Sequence, residues 1–389
     1  MIPPVLPTYN RAPLTFTHGQ GSWLTEKGGR RFLDLGAGIA VNALGHAHPA
    51  LVAALNQQAA KLWHVSNLYH IETQEALAEK LVEETFADTC FFTNSGTEAA
   101  ELAIKMVRKH WSEAGEDRTR ILTFEGCFHG RSTGAIAASG SEKMTKGFGP
   151  LMPGFEHLAW GDHDAFEAAM DDTVAAVMIE PVQGEGGIRA LPDACLKGIR
   201  AACDRTGALL VLDEVQCGVG RTGKLFAHEW AGIEPDIMMV AKGIGGGFPI
   251  GALLATERAA SGMTLGTHGS TYGGNPLGCA VALKVLDIVA EPDFLGGVSR
   301  RAARLRQGLE GLVATHSEVF AGVRGSGLLL GLECRIPPVE VKAAAQAQRL
   351  LTVPASDGVL RILPALDIEE ADIDEALARL GAAADALAP

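Results

Sequence analysis

Lys242 closes an apolar run, Asp236-Ile-Met-Met-Val-Ala-Lys242, and is followed at once by Gly-Ile-Gly-Gly-Gly. A lysine carried to the end of a buried strand is desolvated, which depresses its pKa and leaves an amine able to form a Schiff base with a carbonyl cofactor. A solvated lysine at a strand end is the plainer alternative. The glycine run lacks the full spacing of a dinucleotide fingerprint, and no Gly-Lys-Ser/Thr phosphate loop occurs in the chain, so nucleotide chemistry has little support.

Three further places have chemistry at the end of a strand-like run. Thr93-Asn-Ser-Gly-Thr-Glu98 opens a helix: Ser95 and Glu98 have capping-box spacing, and Gly96 and Thr97 leave amides free at a positive helix terminus, which suits a phosphate as well as a plain cap. Leu209-Leu-Val-Leu-Asp213 delivers an acid that could serve as structure, as a base, as a metal ligand or as the partner of a protonated ring nitrogen. The absence of a neighbouring His or Cys set weakens the metal option. Phe124-Glu-Gly-Cys-Phe128-His-Gly-Arg131 offers a ring to lie on a flat cofactor and a guanidinium to grip a carboxylate, or else a core Phe and a surface Arg. Together the four supply a phosphate cradle, a ring stack, an acid for a ring nitrogen and an amine for an aldehyde. Pyridoxal 5'-phosphate uses that set.

The elements that must position these residues follow from periodicity. Helices are predicted from Pro49 to His64, Glu72 to Glu84, Glu98 to Trp111 and Ala194 to Asp204. Apolar runs at 90–93, 121–124, 175–179 and 209–212 alternate with them, and two more strands follow at 236–241 and 250–255. Such alternation argues an α/β fold with a mainly parallel sheet, in which ligands gather outside the carboxyl ends of the strands. After Asn275-Pro276 come helical stretches to Val289 and from Val298 to Val313, then strands at 328–333 and 359–363 around a helix at 339–350, and an Ala-rich helix from about Glu369. The expected division is a large cofactor-binding domain over 46–285 and a smaller α+β domain formed by 286–389 with the N-terminal segment 1–45.

Composition excludes several classes. Lys and Arg total 33 against 46 Asp and Glu, a formal charge of -13, so a nucleic-acid or anionic-membrane partner is not expected. An anionic substrate then needs locally placed arginines. The seven cysteines are scattered, without a Cys-x-x-Cys pair, and suit a reducing cytoplasm. The first residues lack the pattern of a secretory signal, and no run approaches the roughly 20 apolar residues of a membrane span. The 12 histidines have no metal-ligand spacing; structural or supporting roles are expected for His46, His48 and His129, and no metal site is expected.

Over nearly its whole length the chain resembles the class III (subgroup II) aminotransferases of fold type I. The resemblance rests on Gly38-Ile-Ala-Val-Asn-Ala-Leu-Gly-His-Ala-His-Pro49, Asn94-Ser-Gly-Thr-Glu-Ala99, Phe128-His-Gly-Arg131, Glu180-Pro-Val-Gln-Gly-Glu-Gly-Gly187, Asp213-Glu-Val-Gln216, Ala241-Lys-Gly243, His268-Gly-Ser-Thr-Tyr-Gly-Gly-Asn-Pro276 and Leu360-Arg-Ile-Leu-Pro364. It implies that Lys242 carries pyridoxal phosphate through its amine, Asp213 pairs with the pyridine nitrogen, Val215 and Phe128 sandwich the ring, and Gln216 approaches its phenolic oxygen. It places the phosphate on Gly96 and Thr97, joined by Thr271 of a second subunit, and so implies a homodimer with shared active sites. Glu214 and Ser270 lie inside the matched motifs and are carried over with them, to the cofactor and the substrate respectively.

Within the class the likeness is greatest to the branch acting on N2-acetyl-L-ornithine, on Tyr9-Asn-Arg-Ala-Pro-Leu14, the run from Gly38 to Pro49 and Cys127-Phe-His-Gly-Arg131. Residues 96 and 97 are Gly-Thr where many of that branch have Gly-Ala, and both supply the backbone amides. The implied reaction takes the δ-amine of acetylornithine and returns it to the α-carbon of 2-oxoglutarate, a step of arginine biosynthesis. One pocket then meets carboxylates at two distances. Arg131 is expected to take the distal carboxylate and Arg361 the α-carboxylate of glutamate, with Glu185 neutralising Arg361 when no carboxylate is there, because an unpaired buried arginine is costly. A related ω-aminotransferase using ornithine, succinyl-diaminopimelate or 4-aminobutyrate is the alternative within the class. A non-catalytic binding protein on the same scaffold is the alternative outside it.

Overall fold

The computed structural model describes residues 2–388. Its centre is a seven-stranded sheet, which we number β1 (Thr89–Thr93), β2 (Arg120–Phe124), β3 (Phe155–Leu158), β4 (Val174–Ile179), β5 (Leu209–Asp213), β6 (Ile237–Val240) and β7 (Gly251–Ala255). The spatial order is β1-β7-β6-β5-β4-β2-β3. Strands β4, β5 and β6 are buried along their whole length, as strands covered on both faces must be, and this is why they read as unbroken apolar runs.

Six strands run parallel and β7 runs against its neighbours β6 and β1. The reversal has a simple cause. Only the short segment carrying the Lys242–Gly245 turn joins β6 to β7, too little chain for the crossover that a parallel return needs. The parallel strands therefore share one carboxyl edge, where Asn94, Glu125, Glu180, Glu214 and Ala241 each follow their strands.

Two smaller sheets flank this layer. Phe16–Gln20, Trp23–Glu26 and Arg31–Asp34 form an antiparallel meander that Leu350–Leu351 joins in parallel, so the two ends of the chain share a sheet. Phe320–Ser326, Leu329–Cys334, Val359–Ile362 and Val353–Pro354 form the other, all antiparallel. Helix Pro276–Val289 starts where Asn275 accepts from the Gly278 amide at 2.9 Å and packs on Pro49–Ala59 and Glu72–Glu83. Buried Arg221 ties these parts together by donating to the carbonyls of Leu328, at 3.3 Å, and Pro364.

The first helix ends at Ala59 rather than His64, and the helix predicted from Val298 begins at Pro292. Strand Phe320–Ser326, β3 and the three N-terminal strands had no counterpart among the predicted elements. No helix of the described residues is long and apolar enough to cross a membrane.

Candidate active site

A cavity of about 390 Å³ opens at the carboxyl edge of the sheet, lined among others by Gly96, Thr97, Phe128, Arg131, Asp213, Val215, Gln216 and Lys242. Seven segments contribute, from Val41 to Ile250, because the strands of the sheet end together at this edge.

Lys242 follows β6 through Ala241 and opens a one-turn 3-10 helix with φ of 48°, a left-handed conformation that a non-glycine residue adopts at a cost of about 1–3 kcal/mol. Its amine borders the cavity. Burial lowers its pKa, opposed by Asp213, Glu185 and Glu180 and assisted by Arg361, so the neutral form is favoured relative to a lysine in water.

Opposite it, Ser95 caps helix Gly96–Glu113 by accepting the Glu98 amide at 3.3 Å. The first amides of any helix have no intrahelical acceptor, and the dipole favours an anion there. Two close approaches shape this corner. A Cβ at Gly96 would stand 2.9 Å from Val215, and one at Gly130, whose φ is 137°, would stand 2.2 Å from the Thr97 hydroxyl. That hydroxyl accepts from the amides of Arg131 at 2.9 Å and Ser132 at 3.2 Å, fixing the 128–131 loop against the helix start.

Asp213 ends β5 with both oxygens engaged: Oδ1 accepts from the Val215 amide at 3.0 Å and Oδ2 meets His129 Nδ1 at 2.7 Å. Both side chains are buried. Burial works to lower the His129 pKa, but Cys127 and Asp213 hold it well above the ordinary value, and the balance favours an imidazolium beside a carboxylate. His129 Nε2 is buried without a hydrogen-bond partner among the described residues.

Arg131 stands exposed at the mouth, its guanidinium 5.5 Å from the centre of the Phe128 ring, with no ion-pair partner among the described residues. Arg361 differs. It is 2% exposed, is paired with Glu185 and donates to Gln216 Oε1 at 3.4 Å and to the Pro354 carbonyl at 3.2 Å. With its oxygen turned to Arg361, the Gln216 amide nitrogen is the end left for the cavity.

Three carried-over residues lie elsewhere. Glu214 is buried on the other side of the strand end, accepting from Ala227 N at 2.5 Å, His228 N at 2.9 Å and His228 Nδ1 at 2.7 Å, because successive residues of a strand point to opposite faces. Its side chain is not among those lining the cavity. Ser270 and Thr271 line a separate opening beside Asn94, Thr97 and Ser132, where Ser270 Oγ accepts from Gly273 N at 2.9 Å. Within one chain they are outside the main cavity.

Glu180 does line the cavity and was assigned no role from sequence. Its signal was the one that singled out Asp213, an acid directly after an apolar strand. The set fits pyridoxal phosphate: an amine whose pKa burial lowers, a buried carboxylate braced by an imidazole, an aromatic ring, and a helix start that glycine keeps open. Among the described residues no group of three or more His, Cys, Asp or Glu could hold a metal.

The family model for class-III aminotransferases matches residues 6–384. The acetylornithine aminotransferase of Rhodobacter capsulatus is 68% identical over 388 residues, covering 100% of this chain and 99% of that one. Among solved structures, the N-acetylornithine aminotransferase of Stenotrophomonas maltophilia K279a has a TM-score of 0.86 at 42% identity, covering 97% of each chain. The ornithine aminotransferase of Toxoplasma gondii ME49 superposes with a TM-score of 0.95 at 30% identity, covering 99% of this chain and 93% of that one.

Proposed function

The chain belongs to the class-III aminotransferases, pyridoxal-phosphate-dependent transaminases, and from that premise we propose that it moves the δ-amino group of N2-acetyl-L-ornithine to 2-oxoglutarate. The observation that carries the substrate reading is the asymmetry of the two arginines. Arg131 is open at the mouth while Arg361 is neutralised by Glu185, so the cavity offers one carboxylate grip at a distance and no free charge near the amine. That suits a donor whose only carboxylate is remote from its reacting δ-amine. Release of Arg361 from Glu185 would supply the second grip for the α-carboxylate of glutamate. Full-length identity of 68% to the R. capsulatus enzyme supports the same choice over the ornithine enzyme at 30%.

When bound, pyridoxal phosphate supplies an electron sink for the carbon that loses its proton. In the reading we propose, the Lys242 amine would hold the aldehyde and, once freed, would move that proton. Asp213, oriented by His129, would keep the ring nitrogen charged, Phe128 and Val215 would hold the ring, and Gln216 would donate to its phenolic oxygen. Gly96 and Thr97 would take the phosphate. Thr271 of the partner subunit completes that cradle in a homodimer, a reading supported by the exposed apolar side chains of Trp63, Leu68, Tyr69 and Tyr272 close to the 270–273 segment. We place the enzyme in the cytoplasm, where seven free cysteines stay reduced, in arginine biosynthesis. We take 46–285 as the cofactor domain, and the sheet shared by Arg31–Asp34 and Leu350–Leu351 supports grouping 1–45 with 286–389.

The experiment is a set of single half-reactions, following the bound cofactor's absorbance as the purified holoenzyme meets acetylornithine, ornithine, succinyl-diaminopimelate or 4-aminobutyrate. Acetylornithine is expected to convert the cofactor fastest, with 2-oxoglutarate restoring it. A faster conversion by ornithine or 4-aminobutyrate would replace this reading with that of the related ω-aminotransferase.

A further inference from the structure

Glu180 stands beside Asp213 for a topological reason. Leu212 of β5 pairs in register with Ile179 of β4, so the next residues, Asp213 and Glu180, emerge side by side at the carboxyl edge. Both are 4% exposed. Burial, then the neighbouring Asp213, push the Glu180 carboxyl up to about 7, and Asp213 is bonded to the His129 imidazole at 2.7 Å.

Its two oxygens are spent on two different walls. Oε2 accepts from the Phe128 amide at 3.1 Å, and Oε1 accepts from the Gly184 amide at 3.2 Å. Phe128 contributes the aromatic face of the cavity. Gly184 immediately precedes Glu185, the partner of Arg361, and packs so closely on Gln216 that a Cβ there would meet its amide at 2.3 Å. Behind the turn, the Ser356 amide donates to the Glu185 carbonyl at 3.1 Å, so the turn is clamped from both sides. The Phe128 wall and the Glu185 turn come from different β-strand ends. Glu180 is the side chain that bonds to both.

We propose that Glu180 is a positioning residue that fastens the aromatic wall to the Glu185 turn, so that the grip on the cofactor and the choice between amine donors are set together. The donor part rests on the acetylornithine reading above; the cofactor part does not. A carboxyl can accept at both oxygens, whereas an amide of the same shape turns an N–H toward an N–H at one of them. Glu180→Gln therefore breaks one anchor while leaving volume unchanged.

The test compares wild type, Glu180→Gln, Glu180→Asp and Glu185→Ala as holoenzymes, with the double variant of Glu180→Gln and Glu185→Ala. Visible circular dichroism reports how the bound cofactor is held, and single turnovers with glutamate and with acetylornithine give the donor ratio. Glu180→Gln is expected to weaken the dichroic band, to speed cofactor release about fivefold, the size of one hydrogen bond lost, and to shift the donor ratio toward glutamate. Glu180→Asp, which keeps two acceptors, should recover part of both. In the Glu185→Ala background the shift in ratio should disappear, because the anchor acts through Glu185. A wild-type band and ratio in Glu180→Gln, or an undiminished shift in the double variant, would overturn the proposal. Should Glu180→Gln not retain cofactor at all, Glu180→Asp is read alone, and a wild-type band and ratio there overturn it too. If acetylornithine does not react with wild type, the substrate reading falls by itself, and the dichroic band still decides whether Glu180 holds the aromatic wall.

Discussion

Asp213 is one of two acids at the same sheet edge, and it is the one that an imidazole braces. His129 donates through Nδ1 to Asp213 in a dry setting, and its raised pKa makes that pair a pH-dependent contribution to stability. A histidine whose folded pKa exceeds its unfolded value binds its proton more tightly in the folded chain. The contribution is complete below the unfolded pKa of about 6.5 and is lost as pH rises through the folded value. His129→Gln keeps the approximate size but not the titration. Thermal melts of the apo-protein from acid to alkaline pH should show the gap between wild type and variant widest at the acid end, about 1.5–3 kcal/mol for a buried charged hydrogen bond, and narrowing as pH rises. A gap that widened with pH would mean that the imidazole is neutral in the fold.

At the level of elements, the cofactor corner depends on a helix start that lies against another strand end. Gly96 is helical and adopts an ordinary φ, so its need for hydrogen in place of a side chain comes entirely from Val215, 2.9 Å from where a Cβ would sit. Gly96→Ala should push Val215 toward the cavity. Overpacking of this kind costs about 1–3 kcal/mol, so titration of the apo-protein with pyridoxal phosphate should give an affinity about tenfold weaker. An unchanged affinity would remove Val215 from the ring face. The same elements show what the sequence could reveal. Strands β4, β5 and β6 and the residues after them were legible because burial on both faces leaves an apolar run with an abrupt polar end. Phe16–Gln20, with the sequence Phe-Thr-His-Gly-Gln and mostly exposed, carries no such run, and Phe320–Ser326 is only partly buried, so neither stood out. The antiparallel course of β7 follows from the length of its connection, which composition does not display. For Asp213 and Glu214 a motif gives order along the chain, while the pleat decides which of two neighbouring acids faces the cavity. Glu180 was overlooked although it ends its strand as Asp213 does, since only the register of β4 on β5 shows that the two acids are neighbours.

The whole molecule raises the question of where one active site ends. Lys242, Asp213 and the helix start lie in one chain, but Thr271 of that chain faces a separate opening, exposed. The 62–69 segment beside it presents Trp63 at 67% and Leu68 at 85% exposure, costly surface for a monomer and suitable for a two-fold contact, in which a patch meets its own copy. If Thr271 reaches the phosphate of the neighbouring subunit, two damaged proteins can repair each other. Lys242→Ala removes the amine from its own subunit, and Thr271→Glu sets a negative charge against the partner's phosphate; each homodimer is expected to be inactive. A heterodimer of the two has one site with both lesions and one with neither. Random reassortment makes half the dimers mixed, so mixing equal amounts after dissociation and reassociation should restore about a quarter of the wild-type sites. If Thr271 acted within its own chain, each site of the heterodimer would carry one lesion and mixing would restore nothing.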